Sequence, residues 1–131
     1  MSDAGAACPL CARVLERDLV DEGDLAAAIA DAFPLSPGHT LVVPKRHVAD
    51  WFALTLDEQC GIVALASRVH DRLADTHGPD GWNLGVNVGE AGGQTIGHVH
   101  LHVIPRYRGD RDDPRAGIRW ILPERAPYCA R

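Results

Sequence analysis

The sequence has no long apolar run. Its longest, such as Leu25 to Ala30, fall far below the ~20 residues that span a bilayer, which excludes a membrane-crossing helix. The N-terminus has neither the basic start nor the apolar stretch of a secretory signal, so a cytoplasmic protein with reduced thiols is expected. No internal repeat and no low-complexity linker divides the chain, which excludes repeat arrays and strings of domains. Basic charge is not in surplus: 13 Lys and Arg face 18 Asp and Glu, a net −5, and a whole-surface nucleic-acid binder is excluded. What is present, 46% hydrophobic and 24% charged residues in a chain of 131, fits a single domain over residues 1–131 around one core.

The charge is unevenly placed. Seven arginines against the four acids Asp110, Asp112, Asp113 and Glu124 give residues 106–131 a net +3, which leaves −8 on the first 105 residues. This C-terminal tail is either a solvated segment or a local anion site.

Thr55 followed by Glu58 is a capping-box pattern, and Ile62, Leu65, Ala66, Val69 and Leu73 recur at helical spacing, so a core-packing helix is predicted over residues 56–74. Thr76-His77-Gly78-Pro79 ends it. A short helix is expected around Cys8 to Leu15, in an N-terminal segment 1–15 that carries Cys8-Pro9-Leu10-Cys11. Period-two alternation predicts strands over 24–32, His39 to Pro44, Gly81 to Val88 and Gly97 to Pro105. In the third, Trp82, Leu84, Val86 and Val88 share one face and Asn83, Gly85 and Asn87 the other. In the fourth, Val99, Leu101 and Val103 oppose His98, His100 and His102. The Gly-rich loop 89–96 joins these two strands as an antiparallel hairpin with Asn87 on the histidine face. The expected class is α+β, a helix packed on one face of an antiparallel sheet.

Three alternating histidines on one strand do not serve packing, because each imidazole needs hydrogen-bond partners if buried and adds nothing to sheet stability that Thr or Val would not. Two chemistries fit them. One is a catalytic metal held by all three rings, since His-x-His on a strand aims two imidazoles at one ion. The other is nucleophilic attack on phosphorus by the middle imidazole, flanked by groups that position it and stabilise charge.

Gly97-His98-Val99-His100-Leu101-His102-Val103-Ile104 resembles the signature of the histidine triad (HIT) superfamily, in which three histidines alternate with apolar residues. Ser36 to His47 looks like that family's upstream strand and turn, and Asn83 to Gln94 like its approach to the triad. The resemblance covers roughly residues 8–108 in order. It implies an antiparallel sheet of about five strands with a central helix, two subunits joining their sheets as a homodimer, and reaction at the α-phosphate of a nucleotide. By position, His100 matches the nucleophile that forms a covalent nucleotidyl-histidine, His98 and His102 the other triad members, and His39 the fourth histidine of the site. Asn87, Gln94 and Thr95 match polar positions beside the phosphate, and Asp31 matches the residue that holds the ribose hydroxyls. The implied activity is a hydrolase or nucleotidyl transferase acting on dinucleoside polyphosphates or nucleoside phosphoramidates, with no metal needed for the chemistry. Val99 stands where the uridylyl transferase branch has proline, which argues against uridylyl transfer.

In some bacterial members a CxxC, the histidine after Pro-Lys-x and the first triad histidine bind a structural zinc, and Cys8, Cys11, His47 and His98 fill those positions here. The shell would be closed and tetrahedral, a clip and not a water activator. Without metal the motif is simply two buried thiols. A zinc hydrolase using the three triad histidines and a non-catalytic nucleotide-binding module are the rival functions. Cys60 and Cys129 are expected as apolar fillers or free thiols, His70 and His77 as surface residues. Trp82 is expected in the core, Trp51 where the chain turns into the long helix, and Trp120 is open to a functional or dimer contact.

Overall fold

Alternating side chains build one antiparallel sheet. The computed structural model describes residues 7–128. In chain order it contains α1 (Pro9–Leu15), β1 (Asp21–Glu22), β2 (Ala26–Ala30), β3 (Thr40–Pro44), α2 (Leu56–His77), β4 (Gly81–Val86) and β5 (Leu101–Arg106), with short 3-10 turns between and after them. The strands lie in the order β1-β2-β3-β5-β4, each neighbouring pair antiparallel, so the five-stranded α+β expectation holds. Among the described residues no helix is long and apolar enough to cross a membrane. β1 has no apolar pattern and was not expected from the sequence.

The two faces of the sheet are covered differently. Ala26 and Ala28 of β2 and Val42 of β3 pack against Ile62, Leu65, Val69 and Leu73 of α2. Ala27 and Ile29 with Leu41 and Val43 pack on the other face against Leu10, Cys8 and Cys11 of the α1 segment. On that second face, α1 sits over β2 and β3, and β5 carries the histidines beyond it.

α2 begins as expected: Thr55 accepts the Glu58 N–H (3.1 Å) and Glu58 accepts the Thr55 N–H (2.9 Å), a reciprocal cap. The helix runs to His77, three residues past the expected end. Nothing in Ala74 to His77 breaks it until Gly78 takes the left-handed conformation (φ 57°) and its N–H caps Ala74. The buried Glu58 carboxylate also takes two hydrogen bonds from Arg46 (2.7 and 3.0 Å). That guanidinium, with the Thr55 N–H, holds its pKa down at about 2.

The hairpin strands are shorter than expected. β4 stops at Val86, and β5 starts at Leu101 instead of Gly97, so His98 and His100 precede the strand. The β3–β5 ladder pairs Thr40 with Val103, Leu41 with His102 and Val42 with Leu101. Continued in that register it would reach Pro44, which has no N–H to donate. The Pro44 carbonyl accepts from the His98 ring instead (2.8 Å), and the Val99 N–H turns to Val48 O (2.8 Å). The alternation of faces survives the missing ladder, with Val99 and Val103 buried in the α2 core.

The remaining expectations can be placed. Trp82 is partly buried at the edge of the α2 core with its ring tilted against His70 (4.5 Å between centroids, 50° between planes), and Trp51 packs where the chain turns into α2. His70 and His77 are exposed, and Cys60 is an exposed free thiol. Cys129 lies outside the described residues.

Candidate active site

Each imidazole of the row has its proton fixed by a main-chain or ring partner. His98 is fully buried and donates from Nε2 to Pro44 O, so its lone pair sits on Nδ1. His100 donates from Nδ1 to the carbonyl of His98 (2.9 Å), which leaves the lone pair on Nε2. His39 receives the Leu35 N–H at Nδ1 (3.0 Å) and so carries its hydrogen on Nε2, which lies 2.9 Å from His102 Nδ1 and 3.3 Å from Asp31 Oδ2. His102 therefore accepts at Nδ1, and its Nε2–H remains as a donor. Asp31 is fixed in turn, its Oδ1 accepting the Phe33 N–H (2.8 Å).

Burial decides the charge of this row. It pushes His39 below the ordinary histidine range, with Asp31 opposing the shift. Burial, and then the neighbouring His100 and His39, bring His102 down to about 4. At neutral pH both rings are neutral, so the relay holds hydrogen bonds and no cationic charge.

The three triad rings do not converge on a point. His98 faces two cysteines, His100 a carbonyl and His102 the ring of His39, a geometry that speaks against one ion held by all three. Asp31, His39 and His102 do lie together. His39 Nε2, however, holds the hydrogen that Leu35 forces on it, so this group is a hydrogen-bonded relay.

Behind the row lies a second cluster. His98 Nδ1 is 3.4 Å from Cys8 Sγ and 3.3 Å from Cys11 Sγ, and His47 Nδ1 is 3.3 Å from Cys11 Sγ. The four ligand atoms lie within 4.8 Å of one another. Zinc with thiolate and imidazole ligands has S···N edges of about 3.6 Å, so the residues fit a tetrahedral ion. Burial and the neighbouring Cys8 push the Cys11 thiol up to about 11, so without a cation that thiol stays protonated at neutral pH. His98 takes part in both groups, its ring in the cysteine cluster and its carbonyl under His100.

The polar positions of the β4–β5 loop divide. Gln94 is buried, donating to Ala49 O (2.7 Å) and Ile96 O (3.0 Å) and accepting the Gly89 N–H (2.9 Å), so its amide shapes the loop from within. Gly93 takes a positive φ of 91° there, a conformation suited to glycine. Asn87 and Thr95 are exposed. Asn87 directly follows Val86, the last paired position of β4, which lies opposite Leu101. The groups missed in the sequence are main-chain atoms: the His98 and Pro44 carbonyls and the Leu35 N–H. Only the missing N–H of Pro44 left a trace of them in side-chain identity.

A family model described as HIT domain matches residues 12–109. The chain belongs to the HIT domain family. This HIT protein is 39% identical over 88 residues to an uncharacterized HIT-like protein of Mycoplasma genitalium, covering 67% of this chain and 62% of that one. It is 37% identical over 93 residues to an AP-4-A phosphorylase of Mycobacterium tuberculosis, covering 70% of this chain but 48% of the relative, so it spans about half the length of that enzyme. Among solved structures it superimposes on a Zn-bound histidine triad family protein from Mycobacterium smegmatis with a TM-score of 0.73 and 34% identity, covering 81% of this chain and 79% of that one.

Proposed function

We propose that this HIT protein cleaves nucleotides at the α-phosphate through a covalent intermediate on His100. The observation that carries the reading is the His100 Nδ1 hydrogen bond to His98 O, which leaves Nε2 as the nitrogen with the nucleophilic lone pair. In the first step the Nε2–P bond forms, the bond from phosphorus to the leaving oxygen or nitrogen breaks, and its electron pair leaves with that atom. The His102 Nε2–H would donate a hydrogen bond to the charge developing on that atom, and the proton that finally neutralises the leaving group comes from solvent. In the second step water or another acceptor adds to phosphorus, the Nε2–P bond breaks, and the acceptor's proton is released. Asn87, Thr95 and loop N–H groups would stabilise the phosphoryl oxygens, and Asp31 would receive the ribose hydroxyls. Gln94 would act by holding the loop.

The substrates this reading takes are dinucleoside polyphosphates or nucleoside phosphoramidates, and the relative named AP-4-A phosphorylase supports it. Cys8, Cys11, His47 and His98 would hold a structural zinc, which cross-links the N-terminal segment to the sheet. A homodimer belongs to the same reading: β4 is an edge strand, and beside it Leu84 and Val63 leave apolar surface half exposed, 50% and 55%. Free Cys8 and Cys11 suit a cytoplasmic setting.

The test is to quench the reaction of wild-type protein with diadenosine tetraphosphate at early times and low temperature, and to look for an AMP adduct by mass spectrometry. The adduct is expected on His100, and His100→Asn should cut turnover on the order of 10³-fold or more while nucleotide still binds. Near-normal turnover in that variant, or an adduct on another residue, overturns the mechanism. Tight binding with no turnover in the wild type would make it a binding module.

A further inference from the structure

Along β5, two residues past His102, the histidine face continues with Ile104, opposite Asn83 of β4. At ~3.4 Å per residue this is about 7 Å from the histidine row. A cleft of about 460 Å³ opens there between Leu35 and Ser36 on one side and Arg106 and Arg111 on the other. That volume falls within the roughly 300–1,000 Å³ of small-molecule sites. The tail packs beside β4, next to the cleft-lining Asn83. A methyl group at Gly85, the residue paired with His102, would lie 3.9 Å from Ile118 Cδ1, and one at Gly117 would lie 3.3 Å from Asn83 Nδ2.

The charges around the cleft are not equally available. Arg106 is held by both oxygens of Asp110 (2.8 and 2.9 Å) and by Asn83 Oδ1 (2.7 Å). Arg108 faces Asp80, and Arg115 faces Asp113. Arg111 has no carboxylate partner among the described residues. Its guanidinium carbon lies over Trp120, 4.2 Å from the ring centroid, and Trp120 is itself tied through Nε1 to Arg115 O (3.0 Å). A cation–π contact of this kind holds the guanidinium in place without using its N–H groups, which stay available to an anion.

We propose that this cleft binds the leaving half of the substrate and that Arg111 grips its phosphates, which selects dinucleoside polyphosphates over phosphoramidates. The proposal rests on the reading of His100 as nucleophile. When the Nε2–P bond forms and the bond to the bridging oxygen breaks, the electron pair and negative charge pass to a polyphosphate, and a guanidinium on that side stabilises it. The amine released from a phosphoramidate is small and uncharged and does not extend to Arg111. Ile104 and Leu35 add apolar surface to the cleft, against which a nucleoside can pack.

The experiment measures diadenosine tetraphosphate and AMP binding by calorimetry in the full-length His100→Asn protein, with and without Arg111→Ala. Turnover of the tetraphosphate and of adenosine 5′-phosphoramidate is then measured with His100 intact. Losing one charge-assisted contact should weaken tetraphosphate binding and its kcat/KM about 10- to 100-fold, leaving AMP binding and phosphoramidate turnover within about twofold. Arg111→Lys should recover part of the loss, and Trp120→Leu should show a smaller loss of the same pattern. Equal effects on both substrates, no effect on either, or no tetraphosphate binding at all overturns the proposal. Arg111-dependent tetraphosphate binding with no turnover upholds the cleft and overturns the enzymatic reading. Turnover through a His100 adduct with Arg111-independent binding does the reverse.

Discussion

His102 is the residue on which the neutral relay depends, and its buried ring ties stability to pH. The ring binds its proton at about 4 in the folded chain, against 6.5 ordinarily. Above 6.5 the ring is neutral in both states and folding is unaffected. As pH falls from 6.5 toward 4, only the unfolded chain takes up the proton, and stability on the order of 1–3 kcal/mol is lost. Thermal unfolding should change little between pH 7 and 8 and fall below 6.5, and His102→Gln should reduce the slope between 6.5 and 4 without abolishing it, because burial lowers His39 and His98 as well. An unchanged slope in that variant would show that other groups set it. His39→Gln should slow turnover less than His100→Asn does, because a positioning group contributes a few kcal/mol and not the nucleophile itself.

Among the elements, α2 offers the clearest energetic test. Thr55→Ala removes one half of a reciprocal cap and should cost about 1 kcal/mol in chemical denaturation, whereas Ile62→Ala opens a cavity beneath β2 and β3 and should cost about 2–5 kcal/mol. A Thr55→Ala loss as large as that of Ile62→Ala would contradict the packing described. This helix is legible in the sequence because its signals are local: Thr55 with Glu58, the apolar spacing from Ile62 to Leu73, and Gly78. The strands β2, β3 and β4 are legible for the same reason, β2 and β3 as short apolar runs buried on both faces and β4 as alternation within a few residues. The start of β5 is not, because what ends its ladder is the missing N–H of Pro44 on another strand. The membership of Cys8, Cys11, His47 and His98 in one cluster came from the family resemblance and not from spacing. The roles of Arg111 and Trp120 depend on how the tail folds back over Gly85, which no local pattern in residues 106–128 announces.

For the molecule as a whole, the cysteine cluster and the assembly state are the quantities to measure. Metal analysis of carefully prepared protein should find one zinc per chain. Changing both Cys8 and Cys11 to Ser should release it and lower the melting temperature, since the binding energy of a structural ion is largely folding energy. Protein without stoichiometric zinc would remove the clip. Light scattering at low micromolar concentration should give twice the 14.1 kDa of one chain, and a fully active species at the single-chain mass would take the dimer out of the mechanism. His98 joins these scales in an unequal way. Its ring answers to Cys8, Cys11, His47 and the Pro44 carbonyl, whereas what it gives His100 is a carbonyl that every amino acid possesses. A substitution at position 98 thus reaches His100 only through the path of the backbone. Where the chain beside Pro44 keeps its course the acceptor stays, and where the lost ring lets that chain shift, His100 loses it.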